Sequence, residues 1–186
     1  MITFISTAYK ETIDAYCFIS SLLLQNNNNW KCIIVCDGYN EYINKICLHF
    51  NDSRITFTYS PDITGYWGHY NRKKSLNLVE TEWVIQTSIQ DYFTPNAVNE
   101  IYNNVDKYDL IYYNSLHNHF DYDILDTELR IGKIDWGNFC IKTDIAKKIG
   151  INYPQSNICD GIFIEECLRY PGLKINKINK ILTIHN

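Results

Sequence analysis

The apolar residues of the chain follow two spacings that alternate along its first hundred positions. Short runs rich in β-branched and aromatic residues predict strands at 2–6, 30–36, 54–59 and 83–85. Residues 13–23 place apolar side chains three and four positions apart, the spacing of an amphipathic helix, and a second helix is predicted at 41–50. The alternation of strand and helix predicts a mainly parallel sheet with helices on both faces.

The later part of the chain is less regular and predicts antiparallel additions to the same sheet. Further helices are predicted at 73–80, 96–104, 144–150 and 160–169, and further strands at 108–113, 135–141 and 174–184. Residues 114–132 are polar and aromatic with little periodicity, which predicts a mobile loop that faces a substrate. No repeat and no linker rich in Gly, Pro or Ser divides the sequence, so we expect one α/β domain over residues 1–186.

Composition and charge narrow the range of functions. The formal net charge of -4 gives no reason to expect a nucleic acid or an acidic membrane as a partner. The seven cysteines show no C-x-x-C spacing and read as buried thiols in a reducing compartment. No apolar run approaches the roughly 20 residues needed to cross a bilayer, and the first residues predict a strand and not a signal peptide. We therefore expect a soluble, cytoplasmic protein.

Three of the predicted strands end in polar residues. These ends are Ser6-Thr7-Ala8-Tyr9, Asp37-Gly38 and Ser88-Ile89-Gln90-Asp91. The carboxyl ends of parallel strands meet at one edge of a sheet, where open α/β folds bind their ligands. There Asp37 can accept a hydrogen bond from a nucleobase, Tyr9 can stack on the base, and Asp91 can hold a hard divalent cation against a diphosphate. Taken alone, Asp37-Gly38 is more typical of a simple turn.

Further motifs stand between and after these strand ends. They are Trp67-Gly68-His69-Tyr70-Asn71-Arg72, Ile134-Asp135-Trp136-Gly137-Asn138-Phe139, Cys159-Asp160-Gly161 and Thr183-Ile184-His185-Asn186. In this order and spacing, the motifs resemble those of the GT-A glycosyltransferases of the inverting, family 2-like type. The resemblance covers essentially the whole chain. It implies a GT-A fold, with a nucleotide-sugar donor half over about 1–95 and an acceptor half over about 96–186.

The resemblance also implies a nucleotide-sugar donor, which we expect to be a UDP-sugar. The donor-binding residues that it implies are Thr7, Tyr9, Asp37, Gly38, Arg72, Ser88, Gln90 and Asp91. Among them, Thr7, Tyr9 and Asp37 would hold the base and ribose, and Arg72 would lie near the nucleotide or its phosphates. Asp91 would contact a metal ion, the donor sugar or both. His185 would add a metal or phosphate contact, so the resemblance implies Mn2+ or Mg2+ as a cofactor.

Asp160 matches the acidic residue that serves such enzymes as general base and takes the proton of an acceptor hydroxyl. On sequence alone, Asp160 fits a helix N-cap nearly as well. Glu165 or Glu166, about one turn further on, could replace it as base, although a solvated helix face is more typical of that pair. The acceptor is expected to be a glycan or glycoconjugate. The residues implied to bind it are Trp67, His69, Asp135 and Trp136.

The sequence departs from the family motif at Ser88 and Gln90, which stand where carboxylates are usual. Asp91 alone makes a weaker metal site, and this leaves open a second hypothesis, a catalytically inactive GT-A-like module that binds a nucleotide sugar or a glycan. A nucleotidyltransferase is more remote, because no glycine-rich, lysine-bearing phosphate loop is present. One further polar cluster comprises His117, His119, Asp121 and Asp123. Its alternating residues are more typical of a polar surface on the acceptor side than of metal ligands.

Overall fold

The computed structural model describes residues 1–9 and 13–186, which form six α-helices and one sheet of nine strands. The helices are α1 (Ile13–Leu23), α2 (Glu41–Phe50), α3 (His69–Leu76), α4 (Ala97–Tyr102), α5 (Thr143–Ile149) and α6 (Cys159–Leu168). The strands are β1 (Ile2–Ala8), β2 (Trp30–Asp37), β3 (Ile55–Ser60), β4 (Trp83–Ser88), β5 (Asp91–Phe93), β6 (Leu110–His117), β7 (Asp123–Leu125), β8 (Phe139–Lys142) and β9 (Ile175–His185). Short 3-10 turns occur at Tyr66–Gly68, Asn118–Phe120 and Trp136–Asn138.

The sheet has the strand order β3-β2-β1-β4-β8-β6-β9-β5, with β7 paired to β6. β1 is parallel to both β2 and β4, and β3 is parallel to β2. β8 joins this parallel part to the rest, because it is antiparallel to β4 on one side and to β6 on the other. β9 is parallel to β6, and β5 is antiparallel to β9. The predicted fold class, a mainly parallel sheet with antiparallel additions in the later half, is confirmed.

Apolar side chains cover the central strands on both faces. Phe4 and Ile5, neighbours on β1, are both fully buried and belong to separate hydrophobic clusters. Helices α1, α2 and α4 contribute to the cluster of Phe4, and α3, α5 and α6 contribute to the cluster of Ile5. Burial on both faces explains why residues 32–36 are continuously apolar, whereas Lys31 is exposed.

Two boundaries differ from the prediction because of local turns. Helix α3 begins at His69, four residues before the predicted start, because Gly68 adopts a φ of 74° and leads the chain directly into the helix. The predicted strand 135–141 begins instead with the 3-10 turn Trp136–Asn138. Asn138 closes that turn, since its backbone N–H donates to the carbonyl of Asp135 at 2.9 Å and its side chain accepts from the Asp135 N–H at 3.1 Å.

The prediction of an irregular loop over 114–132 is wrong at two places. Strand β6 continues to His117, and β7 occupies residues 123–125 within the same segment. Asn114 and Ser115 are polar, yet both are buried, because the parallel pairing of β6 with β9 continues past a register shift at these residues. Polar residues buried by strand pairing do not show the apolar signal on which a strand prediction depends.

The seven cysteines, all of which the structure describes, form no disulfide. Five of them are buried, as predicted, whereas Cys47 is half-buried and Cys17 is exposed on α1. Within residues 1–9 and 13–186, no helix combines the length and the apolar composition that crossing a bilayer requires. The division into a donor half (1–95) and an acceptor half (96–186) stays a prediction.

Helix α6 approaches the preceding chain so closely that it needs a glycine. A Cβ added to Gly161 would lie 2.6 Å from the Cα of Ile131 and 2.8 Å from its Cγ1. We expect Gly161→Ala to lower the free energy of unfolding by about 1–2 kcal/mol, because overpacking against backbone outweighs the gain in helix propensity. Urea denaturation measures this change. An Ala variant as stable as the natural protein would contradict the close packing of α6.

Candidate active site

A cavity of about 830 Å³ opens at the carboxyl ends of β1, β2 and β4. All of the predicted site residues except Gly38 line it: Thr7, Tyr9, Asp37, Trp67, His69, Arg72, Ser88, Gln90, Asp91, Asp135, Trp136, Asp160 and His185. Gly38 follows β2 with a φ of 85°, a left-handed backbone that glycine adopts readily. One cavity therefore collects the side chains that were assigned to the donor, the acceptor, the metal and the general base.

Asp37 holds the loop that follows β3. Its buried carboxylate accepts hydrogen bonds from the backbone N–H groups of Thr64 (2.9 Å) and Gly65 (2.6 Å). The Thr64 hydroxyl (3.1 Å) and the Asn71 amide (3.3 Å) donate to the same carboxylate. Through these four bonds Asp37 holds the loop in place, a role that a residue in a simple turn does not have. Its contact with a nucleobase stays a prediction.

The loop that Asp37 holds contains four consecutive residues with positive φ. The values are 67° for Gly65, 50° for Tyr66, 53° for Trp67 and 74° for Gly68. For a residue other than glycine this conformation costs about 1–2 kcal/mol, so the surrounding contacts must hold it. Gly68 packs so tightly on β1 that an added Cβ would lie 2.7 Å from the Cβ of Thr7. The turn presents the indole of Trp67, 64% exposed, at the cavity.

Arg72 connects this turn to the central strand. The buried guanidinium donates one hydrogen bond to the carbonyl of Trp67 (2.5 Å) and one to the carbonyl of Thr87 on β4 (2.8 Å). Burial lowers the pKa of Arg72 to about 10, against the opposing effects of Asp91 and Asp160. The group therefore remains cationic at neutral pH and contributes positive charge beside the cavity. Its predicted place near the phosphates is untested.

Asp91 is the most completely enclosed acid of the site, with 2% of its surface exposed. Its Oδ2 accepts from the Thr87 hydroxyl (2.5 Å) and the Ser88 N–H (2.7 Å), and its Oδ1 meets Nδ1 of His185 at 2.6 Å. Burial alone would raise the pKa of Asp91, but these bonds outweigh burial and lower it. For His185, burial lowers the pKa and Asp91 more than offsets it, so the pKa is raised. The two groups therefore each favour the charged form of the other.

The strand register brings a second histidine to this pair. Asp91 on β5 is the cross-strand partner of His185 on β9, and His185 is in turn the partner of His117 on β6. The rings of His117 and His185 lie 4.4 Å apart between centroids at an angle of 34°. Nε2 of His117 contacts Oδ2 of Asp135 at 2.8 Å, and its Nδ1 accepts the backbone N–H of His119. A row of two imidazoles, each held by a carboxylate, results.

His69 and Trp136, which were predicted to bind the acceptor, line the cavity but expose only 4% and 5% of their surfaces. The Trp136 indole N–H donates to Nδ1 of His69 at 3.3 Å. Burial lowers the pKa of His69 to about 3, and the nearby cation of Arg72 acts in the same direction. His69 is therefore a neutral imidazole at physiological pH. Contact of His69, Trp136 and the exposed Trp67 with an acceptor stays a prediction.

Asp160 lies in the first turn of α6 and lines the cavity. The residue that precedes the helix is Ile158, so the interpretation of Asp160 as the N-cap is wrong. The carboxylate accepts the N–H of Gly161 at 2.7 Å. Burial raises the pKa of Asp160 to about 7, and the negative charge of Asp135 adds to this effect. A carboxyl group with a pKa near the working pH has the property required of a general base.

The other polar candidates have structural partners or lie at the surface. Glu165 accepts the backbone N–H of Ile131, and Glu166 accepts from the side chain of Asn152. His119 lies at the rim of the cavity, and Asp121 and Asp123 are exposed. Among the residues that the structure describes, no group of three or more His, Cys, Asp and Glu side chains is arranged to hold a metal ion.

Several residues that line the cavity were not predicted as site residues. They are Ala8, Gly65, Gly68, His117, Asn118, His119, Gly137, Asn157 and Asn186. The pairing of His117 with a carboxylate was the hardest feature to predict, because its partner Asp135 is distant in sequence. Gly65 and Gly68 carried a usable signal, since two glycines that flank an aromatic pair indicate a turn with positive φ.

No protein-family model and no curated protein matches the sequence. Solved structures do match. TarS 1–349 of S. aureus matches with a TM-score of 0.81 and 12% identity, over 100% of this chain and 60% of that protein chain. The same protein in complex with UDP-GlcNAc matches with a TM-score of 0.78 and 13% identity, over 98% and 57% of the two chains.

The mannosyltransferase PcManGT from Pyrobaculum calidifontis, in complex with GDP-Man and Mn2+, matches with a TM-score of 0.75 and 11% identity, over 98% of this chain and 56% of that one. The chain therefore has a GT-A-like glycosyltransferase fold, as the order of its motifs predicted. It spans 60% of TarS 1–349 and 36% of a longer TarS structure.

The raised pKa of Asp160 makes a prediction for stability. Since the carboxyl group holds its proton more tightly in the folded state than in the unfolded state, the folded protein loses stability as the pH rises from about 4 towards 7 and above. We expect Asp160→Asn to raise the Tm by roughly 5 °C at pH 8, where one kcal/mol corresponds to about 2–4 °C in a domain of this size, and much less at pH 4.

Thermal unfolding monitored by circular dichroism at both pH values measures this difference. The same substitution at the exposed Asp106 controls for the general effect of removing a carboxylate. An increase in Tm that is equal at pH 4 and pH 8 would show that the carboxyl group of Asp160 is not destabilised by its surroundings.

Proposed function

We propose that the protein is an inverting glycosyltransferase that moves a sugar from a nucleotide-sugar donor to an acceptor hydroxyl. The observation that carries the proposal is the carboxylate of Asp160, with a pKa of about 7, in the same cavity as the strand-end residues assigned to the donor. A general base must be unprotonated yet basic at the working pH. Its place in the cavity and its pKa together support the acid–base role that the resemblance implies.

For the donor, a UDP-sugar is the best-supported candidate. The exposed ring of Tyr9 and the hydroxyl of Thr7 line the cavity at the end of β1, where a nucleoside would lie across the sheet edge. TarS structures contain UDP and UDP-GlcNAc, and PcManGT contains GDP-Man. Both bases are therefore compatible with the fold. The seven cysteines, none of them in a disulfide, favour the cytoplasm as the compartment.

In the proposed reaction, Asp160 accepts the proton of the acceptor hydroxyl as that oxygen attacks the anomeric carbon. A new bond forms from the oxygen to the anomeric carbon, the bond from this carbon to the diphosphate oxygen breaks, and its electron pair leaves with the diphosphate. Attack from the side opposite the leaving group inverts the configuration. The indole of Trp67, exposed at the cavity, supplies an apolar face on which a sugar ring of the acceptor can pack.

A divalent cation was predicted at Asp91 and His185, and a Mn2+ ion accompanies GDP-Man in PcManGT. Such ions take several oxygen ligands and keep several waters. Both oxygens of Asp91 already accept hydrogen bonds from protein groups, and the carboxylate is nearly sealed from solvent. Ser88 uses its hydroxyl to accept the N–H of Gln90. The donor set in this arrangement does not fit a cation, and the proposed mechanism has no step that depends on one.

A catalytically inactive module that binds a nucleotide sugar remains the second candidate. The neutral side chains of Ser88 and Gln90, at positions where the family motif has carboxylates, favour it. The two candidates differ in what Asp160 does. In the enzyme, this residue carries the reaction, whereas in the module its loss would barely change ligand affinity.

We expect Asp160→Asn to reduce turnover of UDP-GlcNAc or GDP-Man by roughly 10²–10⁴-fold, the usual contribution of a general base, while nucleotide affinity stays within about threefold. In the natural protein, turnover should fall as the pH decreases below about 7, because protonation removes the base. Release of UDP or GDP in the presence of a panel of glycan acceptors measures turnover, and thermal shift with UDP, GDP and CMP measures binding.

Undiminished turnover in Asp160→Asn would exclude this residue as the base. Nucleotide binding without turnover in the natural protein would favour the inactive module. If none of the three nucleotides raised the Tm, the assignment of the cavity to a nucleotide sugar would be wrong.

A further inference from the structure

Four aspartates line the cavity; one, Asp160, is the proposed general base, and the other three are engaged by groups from other parts of the chain. Asp37 accepts four hydrogen bonds from the loop 64–71, and Asp135 contacts Nε2 of His117 at 2.8 Å. Asp91 accepts three, and the backbone of Gly137 crowds it further, since an added Cβ at 137 would lie 2.9 Å from its Oδ2. A leaving diphosphate nevertheless needs positive charge or strong donors beside it. A hydrogen-bond donor that lines the cavity must therefore contact the diphosphate.

Arg72 is a poor candidate for direct contact. It is 4% exposed, and two of its N–H groups already donate to the carbonyls of Trp67 and Thr87. Its charge still favours an anion in the cavity. The phosphate oxygens, however, require a donor that reaches the cavity surface.

His185 has such a group. Its Nδ1 lies 2.6 Å from the Asp91 carboxylate and its ring lies against His117, so the orientation of the ring is constrained. The negative charge of Asp91 favours the imidazolium, in which Nδ1–H donates to Asp91 and Nε2–H is a second donor. The second ring nitrogen, Nε2, makes no hydrogen bond within the described part of the chain, and the side chain is 25% exposed and lines the cavity. Asp91 also bonds to Thr87 at the end of β4. The imidazole therefore lies at the end of β4, the neighbour in the sheet of β1, whose end lines the proposed nucleoside site.

We propose that the diphosphate of the donor binds without a divalent cation, through a hydrogen bond from Nε2 of His185. This inference rests on the proposed function, since it assumes a nucleotide diphosphate in the cavity. Asp91 and His117 are positioning residues, because one fixes Nδ1 and the other packs against the ring. A nitrogen donor takes the place that the metal ion has beside the phosphates in a metal-dependent transferase. Ser88 and Gln90 can then be neutral without loss of phosphate binding.

Isothermal titration calorimetry of the full chain tests the proposal. UDP and uridine are each titrated in the presence of EDTA, of Mn2+ and of Mg2+. We expect the Kd for UDP to differ by less than about threefold between EDTA and either metal. His185→Asn keeps an amide nitrogen near the position of Nδ1 for Asp91 but lacks Nε2. It should weaken UDP binding by roughly tenfold or more, the effect of losing a hydrogen bond to a charged group, and leave uridine binding unchanged.

Two further variants make the comparison specific. His185→Gln extends an amide nitrogen towards the position of Nε2 and should bind UDP more tightly than His185→Asn does. His49→Asn, at an exposed histidine on α2, is the matched control and should bind as the natural protein does. The Tm of each variant shows whether it is folded. If His185→Asn does not fold, the affinity of His185→Gln for UDP provides the test instead.

Tightening of UDP binding by tenfold or more with Mn2+ or Mg2+ would overturn the proposal and leave the proposed function intact. Equal affinity of His185→Asn and the natural protein for UDP would do the same. Absence of binding by UDP, GDP and CMP alike would overturn the proposed function, and this inference with it.

Discussion

The burial of one carboxylate, that of Asp91, constrains the architecture of the site. A charge removed from water is tolerated only where hydrogen bonds and an opposite charge compensate for its lost hydration. The compensating groups come from the end of β4 (Thr87 and Ser88) and from the end of β9 (His185). These strands are three places apart in the sheet. Asp91 therefore joins the parallel first half to the last strand, and the cavity lies where the two meet.

The need to compensate a buried charge also determines the part of the cavity formed by Asp37, Arg72 and the loop that contains Trp67. Asp37 and Arg72 are both buried, and both form hydrogen bonds with the backbone of the loop that contains Trp67. Their hydrogen bonds help to hold a turn in which two aromatic residues have positive φ. The charged residues of the cavity thus serve first to fix loops in place. Asp160 differs from the other acids of the cavity, because burial and the negative charge of Asp135 raise its pKa to about 7. Its carboxyl group is therefore suited to proton transfer.

Strand ends, and with them most of the cavity lining, could be predicted from the sequence, because polar residues after continuous apolar runs mark the edge of a parallel sheet. The partners of those residues could not. His117 pairs with Asp135 and His185 with Asp91 across long stretches of sequence, and no local pattern encodes such contacts. Buried Asn114 and Ser115 concealed the end of β6 for a related reason, since strand pairing and not hydrophobicity places them there. A metal ion was predicted at Asp91 because aspartate is a common metal ligand. The hydrogen bonds that this carboxylate accepts in the fold, which the sequence does not reveal, decide what it can bind.

A crystal structure of the protein grown with UDP and Mn2+ tests the central claim most directly. The account predicts the uracil ring beside Tyr9 and a diphosphate oxygen at hydrogen-bond distance, about 2.7–3.2 Å, from Nε2 of His185, with the contact between Asp91 and His185 intact. A Mn2+ ion bound between Asp91 and the diphosphate, with that contact broken, would contradict the account. UDP bound outside the cavity would contradict it as well.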